Sequence, residues 1–294
     1  MQTAQLKTAQ AGGTTIGMVG LGAMGGRIAG RLLSQGNNVY GTSRTRSKAD
    51  SLIEQGLVWC DSPREATTAA DVVFSMVTDS DALEGVTAGP DGILAGLALG
   101  KVYVDMTTVI PQTGRELAER SAARGASMLA APVSGSLPDA ERGSLAIIVG
   151  GDADAFERVE PILHQLGTTV TFVGDNEQAL LLKLATNITL AVQMFAFSEG
   201  VLVAERGGIG RDLALDLLTR SAIDSMLQKC APFEPPDKAW FDVHELLSAA
   251  RVLGYEHRDI AALFQAFSEM VGMPAAREVG SEPHDRHDAV RAGC

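Results

Sequence analysis

Three glycines in the spacing G-x-G-x-x-G constrain this chain more than any other feature. Gly20, Gly22 and Gly25 lie between a short apolar run, Ile16 to Val19, and a helical stretch, Ala23 to Gln35. The first glycine permits a tight turn, the second lets backbone approach phosphates, and the third lets helix and strand pack closely. The helix N-terminus then presents free N–H groups and a positive dipole end to an anion. A second strand is expected at Asn38 to Thr42, which completes the strand–turn–helix–strand context that the motif requires. The pattern points to a dinucleotide pyrophosphate.

The end of that second strand bears on which dinucleotide. NAD sites place Asp or Glu there to bind the ribose 2′-hydroxyl. Here the chain reads Ser43-Arg44-Thr45-Arg46, with no acid until Asp50. Arg44 can make charge-assisted bonds to a 2′-phosphate and stack on adenine, and Ser43 and Thr45 add hydroxyl donors. The segment therefore predicts NADP(H), the alternative being a plain solvated basic loop, as Arg46 and Lys48 are read.

Strand-like runs continue at Leu57–Cys60, Asp71–Val77, Val102–Asp105, Ser127–Ala130, Leu145–Val149 and Thr169–Val173, mostly separated by helical patterns. Such alternation implies a mostly parallel sheet covered on both faces, with a mixed edge where the later connections shorten. From Glu177 to Arg206 the character changes. This stretch has no Pro and is apolar nearly all round, predicting a long helix buried on most sides. Lys183, Asn187, Gln193, Ser198 and Glu199 argue against a membrane span. Helical patterns follow at Asp212–Ser221, His244–Leu253 and Arg258–Val271. The expected architecture is an α/β Rossmann N-terminal domain followed by an all-α C-terminal domain, joined by a long central helix. The boundaries are a flexible tail (1–14), a nucleotide-binding domain (15–175), a helical domain (176–274) and a flexible tail (275–294). The polar N-terminus lacks the apolar core of a secretory signal. A formal net charge of −12 argues against nucleic acid or an anionic membrane as partner. Three widely spaced cysteines suggest a reducing compartment, here read as cytoplasmic. His284 and His287 in the tail are not read as a metal site, and none is expected.

Three segments carry candidate chemistry. Thr107 and Thr108 follow the strand ending at Asp105, where ligands of open parallel sheets bind. They either hydrogen-bond a nicotinamide or a substrate, or cap the helix opening at Pro111. Ala131-Pro132-Val133-Ser134-Gly135-Ser136 forms a turn whose serine hydroxyl and backbone N–H groups can hold a carboxylate, or is a turn and nothing more. Lys183 sits in an apolar helix, where desolvation lowers a lysine pKa towards neutrality. Asn187, four residues on, shares its face. The alternative is a snorkelling or salt-bridged lysine.

The segments GLGAMG…SRT, DVVFSMVTDSDAL, VDMTTVIPQT, APVSG and KLATN occur in the order and approximate spacing of the β-hydroxyacid dehydrogenases. Between Ile16 and about Val243 the chain resembles this family, which includes 3-hydroxyisobutyrate dehydrogenases and glyoxylate/succinic semialdehyde reductases. The resemblance implies an NADP-dependent enzyme reducing a small aldehyde or keto acid, or running in reverse. Gly20, Leu21, Gly22, Ala23 and Met24 would hold the pyrophosphate, and Ser43, Arg44 and Thr45 the 2′-phosphate. Met76 and Val77 would border the adenosine, and Thr108 would lie near the nicotinamide. Ser134 and Gly135 would bind the substrate carboxylate, and Lys183 would be the general acid/base with Asn187 beside it. An intertwined homodimer is implied as well.

The match departs in two places. Ala130 stands where the family commonly has Asp. Trp240-Phe241-Asp242-Val243 runs straight into His244-Glu245-Leu246-Leu247, without the Lys-Asp helix usual between them. Two other functions use the same features: an imine reductase on the same framework, against which Lys183 argues, and a non-catalytic NADP-binding protein.

Overall fold

The computed structural model describes residues 14–220. The strands are β1 (Thr15–Val19), β2 (Asn38–Thr42), β3 (Val58–Trp59), β4 (Val72–Ser75), β5 (Val102–Asp105), β6 (Ser127–Ala130), β7 (Val133–Ser134), β8 (Leu145–Gly151) and β9 (Gly167–Gly174). The helices are α1 (Ala23–Ser34), α2 (Asp50–Glu54), α3 (Pro63–Thr68), α4 (Ser80–Thr87), α5 (Ile93–Gly96), α6 (Pro111–Ala122), α7 (Leu137–Arg142), α8 (Ala153–Leu166), α9 (Asn176–Arg206) and α10 (Arg211–Leu218).

The sheet runs β3-β2-β1-β4-β5-β6-β8-β7, with β9 against β8. From β3 to β6 every pairing is parallel, as helical crossovers dictate. The predicted mixed edge is present: β8 runs antiparallel to β6 and β7 and parallel to β9. Side chains alternate between two buried layers, as a strand period of two requires. Val102 and Val104 join Ile28 and Leu32 of α1 and Val159 and Leu163 of α8 on one face. Val73 and Tyr103 join Ile93 and Leu117 of α5 and α6 on the other.

Three expectations change. The strand read at Asp71–Val77 is only Val72–Ser75, although Met76 N still donates to Val19 O at 3.0 Å. The turn at Val133-Ser134 is itself a two-residue strand, pairing with Ile147 and Ala146. The long helix forms, but is not buried on most sides. Ala179, Leu180 and Lys183 are covered, whereas Leu181, Leu182 and Leu190, and beyond them Val192, Met194 and Val203, are exposed. Its first turns lie against the sheet layers, and a helix apolar all round leaves its other sides uncovered there. By length and composition it is long and apolar enough to cross a membrane.

The chain divides into two compact units, the break falling inside α9 after Leu190. In the second unit the end of α9 and α10 are tied by Arg211, whose Nε and Nη2 donate to the Glu205 carboxylate at 2.8 and 2.9 Å. The N-terminal tail to residue 13, the predicted helices His244–Leu253 and Arg258–Val271, the Trp240–His244 junction, the two tail histidines and the 275–294 tail lie outside the described residues.

Candidate active site

The carboxyl ends of five parallel strands stand in one row. Thr42 is in register with Val19, Val19 with Ser75, Ser75 with Asp105, and Asp105 with Ala130. The predicted cofactor and substrate residues follow these ends: Ser43–Thr45 after β2, Gly20–Met24 after β1, Met76 and Val77 after β4, Thr108 after β5, and Ser134 and Gly135 after β6. Lys183 reaches Ser134 from α9, and Asn187 lies one turn further along the same helix.

The glycine turn has a distinct reason at each position. Gly20 has φ +97°, and a Cβ there would lie 2.3 Å from the Met76 carbonyl oxygen. A Cβ on Gly25 would lie 2.0 Å from the Gly20 carbonyl oxygen. A Cβ on Gly22 would meet nothing within 4 Å; it would enter open space in front of α1. Gly22 is the N-cap of α1, no side chain caps it, and the first turn holds no acid. A backbone kept bare towards open space at an uncapped helix N-terminus fits a pyrophosphate. Leu21 is buried and Met24 packs on the core, so these two can serve a phosphate only through their main chain.

Gly20 N donates to Thr42 O at 2.9 Å, which ties the end of β2 to the glycine turn. Ser43 is half-buried and Arg44 and Thr45 are exposed just beyond that tie. Arg46, by contrast, opens a 3-10 turn and stacks over the Trp59 ring at 5.5 Å.

Past β5 the two threonines separate. α6 is capped by Ile110, with no side-chain bond, so neither threonine is a helix cap. Thr107 is buried, and its Oγ1 accepts from Val77 N at 3.3 Å, which commits it to the framework. Thr108 is half-buried in the same loop.

Lys183, 7% exposed, donates from Nζ to Ser134 Oγ at 2.7 Å. Two residues 49 apart in sequence thus meet as a pair. Burial pulls the lysine pKa below its ordinary value. Among the described residues its hydrogen bond goes to Ser134 and not to Asn187, which is half-buried one turn on. Gly135 has φ +143°, and a Cβ there would lie 2.8 Å from Leu145 Cδ2. The next N–H is not free: Ser136 N donates to Asp139 Oδ2 at 2.7 Å. The Ser136 hydroxyl and N–H, with Arg142, hold the Asp139 carboxyl down at about 2. The free N–H groups expected of this loop are therefore reduced by one.

Two residues that place this site are not evident in the sequence. Asn176 is buried and takes Ala130 N on its Oδ1 at 2.6 Å, seating the first turn of α9 on the end of β6. Gly114 of α6 lets Leu180 approach; a Cβ there would lie 2.4 Å from Leu180 Cδ1. An Asn directly before a helical stretch was the available signal, and it reads as an ordinary cap.

Residues 15–174 match the family model of the NAD binding domain of 6-phosphogluconate dehydrogenase. Glyoxylate/succinic semialdehyde reductase 2, chloroplastic, of Arabidopsis thaliana is 32% identical over 214 residues, 73% of this chain and 60% of that protein. The chain therefore spans less than two thirds of that relative. 3-Hydroxyisobutyrate dehydrogenase of Pseudomonas aeruginosa is 33% identical over 209 residues, 71% of this chain and 70% of that protein. A solved structure of Psf3 in complex with NADP+ and 2-OPP has a TM-score of 0.70 at 28% identity, covering 86% of this chain and 100% of that one.

Proposed function

The chain belongs to the family of the 6-phosphogluconate dehydrogenase NAD-binding domain, with 3-hydroxyisobutyrate dehydrogenase and glyoxylate/succinic semialdehyde reductase among its relatives, and from this we propose an NADPH-dependent reductase of small aldehydes or keto acids. It is an oxidoreductase that uses a nicotinamide dinucleotide. The finer reading rests above all on one observation: the buried Lys183 ammonium lies 2.7 Å from Ser134 Oγ beyond the sheet edge that also carries the glycine turn.

In this reading Gly20–Met24 hold the pyrophosphate and Ser43, Arg44 and Thr45 the 2′-phosphate. Met76 and Val77 border the adenosine, and Thr108 the nicotinamide. When bound, the reduced nicotinamide supplies a hydride to the carbonyl carbon. Lys183 gives a proton to the carbonyl oxygen as charge develops on it, and its neutral amine takes the proton back in the oxidative direction. Ser134 and Gly135 hold the substrate carboxylate, which fixes the carbonyl against Lys183. Asn187 orients the lysine or the substrate from the next turn. Residues 15–175 are the cofactor domain, and 176–274 supply the substrate and dimer contacts of a cytoplasmic homodimer.

NADPH consumption over short semialdehydes, 2-keto acids and cyclic imines tests the reading. Carbonyl turnover is expected. Turnover of imines alone would make the chain an imine reductase, and tight NADPH binding with no turnover on any of them a non-catalytic binder. Arg44→Ala is expected to lower kcat/KM for NADPH by roughly 10- to 100-fold, the worth of a charged hydrogen bond, while leaving NADH use unchanged.

A further inference from the structure

A buried polar chain lies directly behind the row of strand ends. Tyr103, Ser75 and Asp105 are each no more than 1% exposed. Ser75 Oγ donates to Asp105 Oδ1 at 2.6 Å, which spends its one proton. The Tyr103 hydroxyl, 2.9 Å away, is then the donor to Ser75. From the other side Thr107 N donates to Asp105 Oδ1 at 3.1 Å, and the Thr107 side chain hydrogen-bonds the same carboxyl. Thr107 Oγ1 in turn accepts from Val77 N at 3.3 Å. Every proton in the chain points towards Asp105, an arrangement that needs an acceptor-only group at its end. Ionised aspartate is that group, and the amide of asparagine is not.

The strand ends do not need this carboxylate. Met106 N donates to Ser75 O at 2.9 Å and Ala131 N to Asp105 O at 2.7 Å, so main chain already joins β4, β5 and β6 there. What the carboxylate holds lies past the strands: the peptide of Thr107, and through its hydroxyl the peptide of Val77. We infer that Asp105 is a positioning residue that sets the Thr107–Thr108 segment for the nicotinamide end of the cofactor, with the Val77 N–H serving only to anchor the Thr107 hydroxyl. The inference rests on the reading of Thr108 as the nicotinamide neighbour. Burial also pushes the Asp105 carboxyl up to about 6, and the hydrogen bonds from Ser75 and Thr107 work against that rise.

The test compares two ligands that differ only at the nicotinamide: NADPH, and 2′-phospho-ADP-ribose, which lacks it. In the full-length chain, Asp105→Asn is expected to weaken NADPH roughly tenfold, in line with loss of a charged hydrogen bond. Its affinity for 2′-phospho-ADP-ribose should stay within about twofold, which is ordinary surface-level variation. Thr107→Val should show the same split and Thr107→Ser, which keeps the hydroxyl, should bind both ligands as the wild type does, and this pair decides the matter if Asp105→Asn does not fold. Equal weakening of both ligands, or no weakening of NADPH, overturns the inference. Binding without turnover separates it from the reductase reading. If the variants show the split while the wild-type chain reduces no carbonyl, that reading falls and Asp105's role stands. Wild-type turnover with no split in the variants does the reverse.

Discussion

A lysine ammonium buried against a serine hydroxyl holds its proton less tightly than one in water. Burial lowers the Lys183 pKa, so the protonated form needed for reduction is lost at a lower pH than for an ordinary lysine. Reductive kcat is expected to fall as pH rises through that lowered value, while the oxidative rate rises over the same interval; paired pH profiles check this. Lys183→Ala should reduce turnover by roughly 10²- to 10⁴-fold, the usual worth of a general acid, with NADPH binding kept. Asp105 works in the opposite sense. Its folded pKa of about 6 lies above the unfolded value of about 3.9. Between those values the folded chain binds more protons than the unfolded one, so this group's stabilising contribution is full below about pH 4 and is lost as pH rises to about 6. Asp105→Asn should therefore gain stability relative to the wild type across that window, by on the order of 2–3 kcal/mol, in urea titrations at several pH values. Lys183 and Ser134 each stood out in the sequence for their setting. Their pairing across 49 residues follows only once a family resemblance or a fold joins them. Asp105 did not stand out, because its partner Ser75 is thirty residues away and meets it through strand register.

The glycine turn gives contrasting expectations within one element. Gly22→Ala projects a methyl group into open space, so the fold should survive and cofactor binding should be lost. Gly25→Ala drives a methyl group to 2.0 Å from the Gly20 carbonyl oxygen and should cost about 1–3 kcal/mol of stability as well, by overpacking. Thermal melts with and without NADPH separate the two. The first βαβ unit was legible residue by residue because its signals are local: glycine spacing, an apolar run, and a basic loop. β7 was not, since two residues carry no periodicity and Val133 and Ser134 are a strand only through their pairing with β8. The end of α3 shows the same dependence on distant partners. Lys101 Nζ donates to the carbonyls of Thr67 at 3.0 Å and Thr68 at 3.1 Å, and to that of Ala70. Lys101→Met leaves these acceptors unpaired and should cost about 1–3 kcal/mol by denaturant unfolding.

Over the whole molecule, the apolar composition of α9 was legible but its exposure was not, since an all-round apolar helix says what it avoids and not what covers it. Leu190, Val192, Met194 and Val203 at the surface support the proposed homodimer. Light scattering on the purified chain is expected to give a dimer, and Val192→Lys with Val203→Lys to shift it towards monomer. The seat of α9 carries a further consequence for how such chains can vary. Asn176 fixes the phase of the helix on β6, and Lys183 lies seven residues on, close to two turns at 3.6 residues each. One residue inserted between them would swing the lysine by about 100° around the helix axis, away from Ser134. This interval should therefore tolerate exchanges of side chain far better than any change of length, a reading frame of geometry set by the count of residues from one asparagine.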